Sequence, residues 1–69
     1  MTSVYIKLVI AGTRTIASVP AKNIVAVAVG VLEKGADDGK EYATIDDVPD
    51  KYKEEVKEKL QLDGYDIQE

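Results

Sequence analysis

The side chains able to do chemistry in this chain are almost all carboxylates. There is no His and no Cys, which removes the commonest general base and the strongest nucleophile. Ser3 and Ser18 have no base at a recognisable spacing. The paired acids Asp37-Asp38 and Asp46-Asp47 invite a calcium reading. A calcium loop takes ligands at alternate positions and closes with a Glu at the twelfth, and neither pair sits in that pattern. Asp38 before Gly39 reads instead as a turn, and Asp47 before Val48-Pro49 as a helix cap. No glycine-rich phosphate cradle is present. The expectation is a protein with no catalytic, cofactor-binding or metal-binding residues, no small-molecule substrate, and no enzymatic activity.

Four tyrosines are the only aromatic residues: Tyr5, Tyr42, Tyr52 and Tyr65. Tyrosine offers a large apolar body with a polar tip and is enriched at interfaces. Tyr52 falls inside a helical apolar stripe and reads as core. Tyr5 and Tyr65, near the two ends, read as candidates for a contact surface.

Charge divides the chain. Residues 1–35 carry Lys7, Arg14, Lys22 and Lys34 against Glu33 alone, whereas residues 36–69 carry twelve carboxylates against five lysines. The net charge is −4. Phosphate recognition needs clustered Lys and Arg, and a single Arg with no basic stripe excludes nucleic acid as the expected partner. The acidic half reads as a solvated face or as a surface for a basic partner.

At 69 residues the chain makes one small domain, 1–69. Such a domain buries only roughly 60% of its unfolded surface. With no disulfide and no zinc site, stability must come from a well-patterned core, a partner or self-association. The longest strongly apolar run, Ile24 to Leu32, is far short of the ~20 residues that span a bilayer. The opening Met-Thr-Ser-Val-Tyr-Ile-Lys lacks the basic start of a signal peptide. The expected location is cytoplasmic or virion-associated, with no membrane partner.

The elements that would carry these residues are read from pattern. Val4 to Ile10 is dense in β-branched residues, and Thr13 to Val19 is β-prone again beyond Gly12; together they suggest a hairpin. Ile24 to Leu32 alternates, with Val25, Val27, Val29 and Val31 on one parity. Period two is the strand signature. Asp38-Gly39 then suggests a second hairpin returning over Lys40 to Ile45, with Leu32 opposite Ile45. Val48, Tyr52, Val56 and Leu60 fall four apart, which predicts a helix over 48–62 stopped at Gly64. Tyr65 to Ile67 could dock back on the core. The fold expected from periodicity is α+β: two β-hairpins and one C-terminal amphipathic helix.

An internal repeat argues differently. Residues 15–22 read Thr-Ile-Ala-Ser-Val-Pro-Ala-Lys and residues 44–51 read Thr-Ile-Asp-Asp-Val-Pro-Asp-Lys. The same offset pairs Val27 with Val56 and Gly35 with Gly64. Extended, it relates 15–38 to 44–67. If the first copy behaves like the second, Ser18 caps a helix from Pro20 to Lys34, Gly35 ends it, and the fold is mostly α, built of duplicated turn-helix units.

The stretch Tyr5-Ile-Lys-Leu-Val-Ile-Ala-Gly-Thr-Arg-Thr-Ile-Ala-Ser-Val-Pro20 resembles the opening of a group of very short proteins encoded in the tail module of Firmicutes prophages and phage-tail-like bacteriocins. Their pattern is an apolar run ending Ala-Gly, a basic residue, Thr-Ile, two variable residues and Val-Pro, then an amphipathic helix. Thr44 to Val56 is similar to the later part of that pattern, and Asn23 to Ala43 is an extra middle. The resemblance implies a small phage or prophage protein acting by binding, as an accessory or structural component of a tail-like particle. It supplies no catalytic residues. The partner is then another protein or a second copy. The candidate interaction residues are Tyr5, Val25, Val27, Val29, Val31 and Tyr65. The alternative is an acidic modulator that binds and inhibits a host protein through its second half.

Overall fold

A computed structural model describes residues 2–65. It contains three α-helices: α1 (Thr2–Ile10), α2 (Ala21–Asp38) and α3 (Asp50–Leu62). Short 3₁₀ turns at Ile16–Ser18 and Ile45–Asp47 precede α2 and α3. There is no strand among the described residues. The α+β expectation is therefore wrong, and the mostly α alternative describes the chain.

The first arm of each expected hairpin lies in a helix, for the same physical reason, and the second arms, 13–19 and 40–45, are irregular chain leading into the 3₁₀ turns. Strand propensity is a weak local preference, and packing of an amphipathic face overrides it. In α1, Val9 is buried and Tyr5, Ile6 and Ile10 pack against the core, while Ser3, Val4 and Lys7 are exposed. Residues 5, 6, 9 and 10 lie on one helical face. In α2 the buried residues are Ile24, Val27, Ala28, Val31 and Gly35, spaced three and four apart. The run 24–32 is apolar on nearly every side because α2 is the central helix, with α1 and α3 both packed on it. Small size does not forbid such a helix when two neighbours flank it.

Gly12 and Gly39, expected as hairpin turns, are helix stops like Gly64, whereas Gly35, the stop expected from the repeat, lies buried inside α2. Gly12, Gly39 and Gly64 have positive φ of 81°, 66° and 90°, a conformation glycine adopts without steric cost. Each is followed by a residue whose N–H reaches a carbonyl five positions back. Thr13 donates to Leu8 at 2.9 Å, Lys40 to Gly35 at 2.9 Å, and Tyr65 to Leu60 at 2.9 Å. That is the Schellman closure, which satisfies carbonyls left over at a helix end. Asp38-Gly39 thus ends α2 rather than turning a hairpin, and Lys40 to Ile45 returns without pairing to α2 as a strand.

The repeated phrase folds the same way twice. Val19 N–H donates to the Ile16 carbonyl at 3.1 Å, and Val48 N–H to the Ile45 carbonyl at 3.1 Å. Pro20 and Pro49 then hold nearly identical backbone angles, φ −53°, ψ 143° and φ −55°, ψ 143°. These prolines, not Ser18 and Asp47, occupy the N-cap positions. Ser18 Oγ instead donates to the Thr15 carbonyl at 2.7 Å. Asp47 Oδ2 accepts from the Thr44 N–H at 2.9 Å. Both side chains close the 3₁₀ turn that aims the following helix.

Equivalent positions share the core. Ile16 and Ile45, Val19 and Val48, Val27 and Val56, and Val31 and Leu60 are all buried. Burying a Val, Leu or Ile side chain is worth roughly 1.5–3 kcal/mol, so these four pairs dominate the stability of the molecule. The copies differ where their helices have different neighbours. Ile24 and Ala28 are buried in α2, whereas the matching Lys53 and Lys57 of α3 are only half-buried. Lys53 reaches Asp50 at 3.1 Å and Asp46 at 3.7 Å.

Candidate functional site

A concave feature lies between α2 and α3. It is a groove of about 480 Å³ lined by Ala26, Val29, Gly30 and Glu33 from α2 and by Lys59, Leu62 and Asp63 from the end of α3. Its apolar part is made by Ala26, Val29, Gly30 and Leu62. Leu62 is 79% exposed, so a large aliphatic side chain stands in water on the groove's lip. A Cβ at Gly30 would collide with the Ile6 side chain of α1, which shows how closely α1 approaches at this point.

One end of the groove is acidic. Glu33 lies beside Asp63, and its Oε2 is buried without a hydrogen-bond partner among the described residues. Glu33 has its pKa pushed up to about 7, first by sharing a proton with the Asp63 carboxylate, then by burial and by the charges of Asp63 and Asp37. An oxygen without a donor beside a second carboxylate is satisfied when one proton is held between them.

Tyr65 braces this end. Tyr65 Oη donates to Asp37 Oδ1 at 2.8 Å, tying the segment after α3 to the last turn of α2. Tyr42 Oη donates to Asp38 Oδ2 at 2.7 Å. Each phenol pKa is raised, mainly because its proton is held by that carboxylate. Lys34 also approaches Asp38, at 3.7 Å.

The residues expected to form a contact surface are scattered by the helix. Val27 and Val31 are fully buried in the core. Val25 and Val29 are half-buried, and of the four valines only Val29 lines the groove. Tyr5 lies half-buried with the Arg14 guanidinium 5.1 Å from its ring centre. Tyr65 is half-buried at the acidic end, and Ile67 lies outside the described residues. Glu33, Leu62 and Asp63 were not singled out by the sequence. Two signals pointed to them: Glu33 is the lone carboxylate of the first 35 residues, and Leu62 falls off the 48, 52, 56, 60 stripe.

Among the described residues no group of three or more His, Cys, Asp or Glu side chains is placed to hold a metal ion. No described helix is long and apolar enough to cross a membrane. Neither family models, nor curated proteins, nor solved structures give a match to this chain.

Proposed function

We propose that this protein acts by binding another protein chain and performs no catalysis, as an accessory or structural component of a phage or prophage tail-like particle. The observation that carries the binding reading is the α2–α3 groove, an apolar trough with an exposed leucine on its lip and two carboxyls at one end. An apolar concavity with a few convergent polar groups is the usual form of a recognition site. The resemblance of Tyr5–Pro20 and Thr44–Val56 to short tail-module proteins supports the particle assignment. It makes the protein virion-associated, or cytoplasmic before assembly.

The test is fractionation of producing cells carrying a tagged chain, with mass spectrometry of sedimented particles. Recovery of the chain with tail or baseplate proteins is the expected result. Its exclusion from particles overturns the assignment.

A second reading is an acidic modulator that binds and inhibits a host protein. It is favoured by the exposed carboxylates Asp46, Asp47, Asp50, Glu54, Glu55 and Glu58 on α3 and the turn before it. Charge reversal at those six positions should then abolish binding to a single host protein. Unchanged affinity eliminates this reading.

A further inference from the structure

Among the described residues, two large apolar side chains remain exposed: Leu62 on the lip of the groove and Val4 on α1, at 79% and 48%. They lie on separate helices that both pack on α2. Lys7 is exposed one turn beyond Val4, so residues 4 and 7 share the outer face of α1. That face presents an aliphatic group and an ammonium about one turn apart. The groove presents an apolar trough whose charged lining is Glu33, Asp63 and Lys59, two carboxyls against one ammonium.

We propose that the α2–α3 groove docks the outer face of α1 from a second copy of this chain, with Val4 seated against Ala26, Val29 and Leu62 and Lys7 meeting Glu33 and Asp63. This rests on the groove being the protein's binding surface. The chain's charge distribution favours the arrangement. Lys7 lies in the first 35 residues, which carry a net +3, and Asp63 in the remainder, which carries a net −7, so this pairing brings opposite signs together.

The two surfaces are different, so the contact is heterologous. Every copy retains one unused face of each kind, and assembly propagates into a ring or a filament. A helix face in a groove of this size falls below the ~1,200 Å² of stable complexes. The purified chain should therefore associate only at high concentration, on the order of 0.1–1 mM. Repetition along a particle would supply the remaining strength.

The experiment is sedimentation of the purified full chain at neutral pH and low salt, with two double variants. Val4→Ser with Lys7→Glu removes the outer face of α1. Leu62→Ser with Asp63→Lys removes the groove. Ala26→Gln, at an exposed position in the middle of α2, blocks the groove without touching a helix end, and circular dichroism checks that each variant keeps its helices. The wild-type chain should show mass rising with concentration above 7.5 kDa, and salt should weaken it. Each variant alone should remain monomeric. An equimolar mixture of the two double variants should form a dimer and nothing larger, because one intact face of each kind remains. Wild-type protein that stays monomeric throughout, or variants that assemble like wild type, overturns the proposal. A mixture that stays monomeric while wild type assembles overturns it too, by placing the contact elsewhere. Monomeric protein that still sediments with tail particles overturns the self-docking alone and leaves the proposed function standing.

Discussion

The Tyr65 hydroxyl donates to the Asp37 carboxylate at 2.8 Å across 28 residues of sequence. It fastens the segment that follows α3 to the last turn of α2, at the acidic end of the groove. The bond is exposed to solvent, so its worth is at the low end for a hydrogen bond to a charged group. Tyr65→Phe should lower stability only slightly. The phenol's raised pKa gives a second readout. A group whose folded pKa exceeds its unfolded value loses its stabilising contribution as pH rises through the folded value. Wild type should therefore lose more stability than Tyr65→Phe when the solution is made alkaline, as measured by urea melts.

Glu33 gives a test near neutrality. Its pKa rises from 4.5 to about 7 on folding. The folded state holds the proton more tightly, so this group's contribution is fully present below pH 4.5 and is lost as pH rises through 7. Glu33→Gln keeps the hydrogen-bonding shape without the ionisation. The variant should match wild type in mild acid and exceed it at neutral pH, the gap opening between those two values. The facing groups are Asp37 on α2, Lys59 and Asp63 at the end of α3, and Tyr65 beyond it. Asp63→Asn should close most of the gap, since Asp63 is the largest cause of the shift. A gap that does not change with pH removes the shared proton from the account.

Two helical glycines should respond oppositely to alanine. Gly→Ala inside a helix gains about 1 kcal/mol from propensity alone. At Gly30 the new methyl meets the far end of the Ile6 side chain, which can rotate away, so Gly30→Ala should be close to neutral. At Gly35 it would lie 2.7 Å from the Lys40 backbone carbonyl. The Lys40 N–H donates to the Gly35 carbonyl in the Schellman closure, so this backbone cannot move cheaply. Gly35→Ala should cost about 1–3 kcal/mol, read from denaturant midpoints. Equal effects at the two sites would mean that the close approach at Gly35 is absent.

The two copies of the repeat should matter alike. Ile16 and Ile45 are both buried at equivalent points of the two 3₁₀ turns. Ile16→Ala and Ile45→Ala should each cost about 2–5 kcal/mol. In a domain this small either change should reduce helical circular dichroism at room temperature. A variant that leaves the melt unmoved would show that its turn is not part of the core.

The C-terminal helix was legible because Val48, Tyr52, Val56 and Leu60 stand among charged residues, and period four shows against that background. Gly64 was legible as its stop. Helix α2 was not, although Ile24, Val27, Ala28, Val31 and Gly35 also have helical spacing. Apolar residues at 25, 26, 29 and 32 fill the gaps, and alternating valines imitate a strand. Whether an all-apolar segment has neighbours on two sides is a tertiary fact that its own residues do not carry. The repeated phrase was the better guide, since the same eight-residue turn should launch the same element twice. The groove was hidden for a related reason. Strand parity groups Val25, Val27, Val29 and Val31, whereas a helix turns each residue by 100° and sends Val27 and Val31 into the core. Leu62 and Glu33 meet only when α2 and α3 pack side by side.

The groove's role is tested most directly by amide chemical shifts of the isotope-labelled full chain, followed from dilute to concentrated solution. Concerted shifts should appear at Val29, Gly30, Glu33, Leu62 and Asp63 and, with the same concentration dependence, at Val4 and Lys7. Shifts confined to the outer face of α3, or no shifts at all across the range, would contradict a groove that receives α1 of a neighbouring copy.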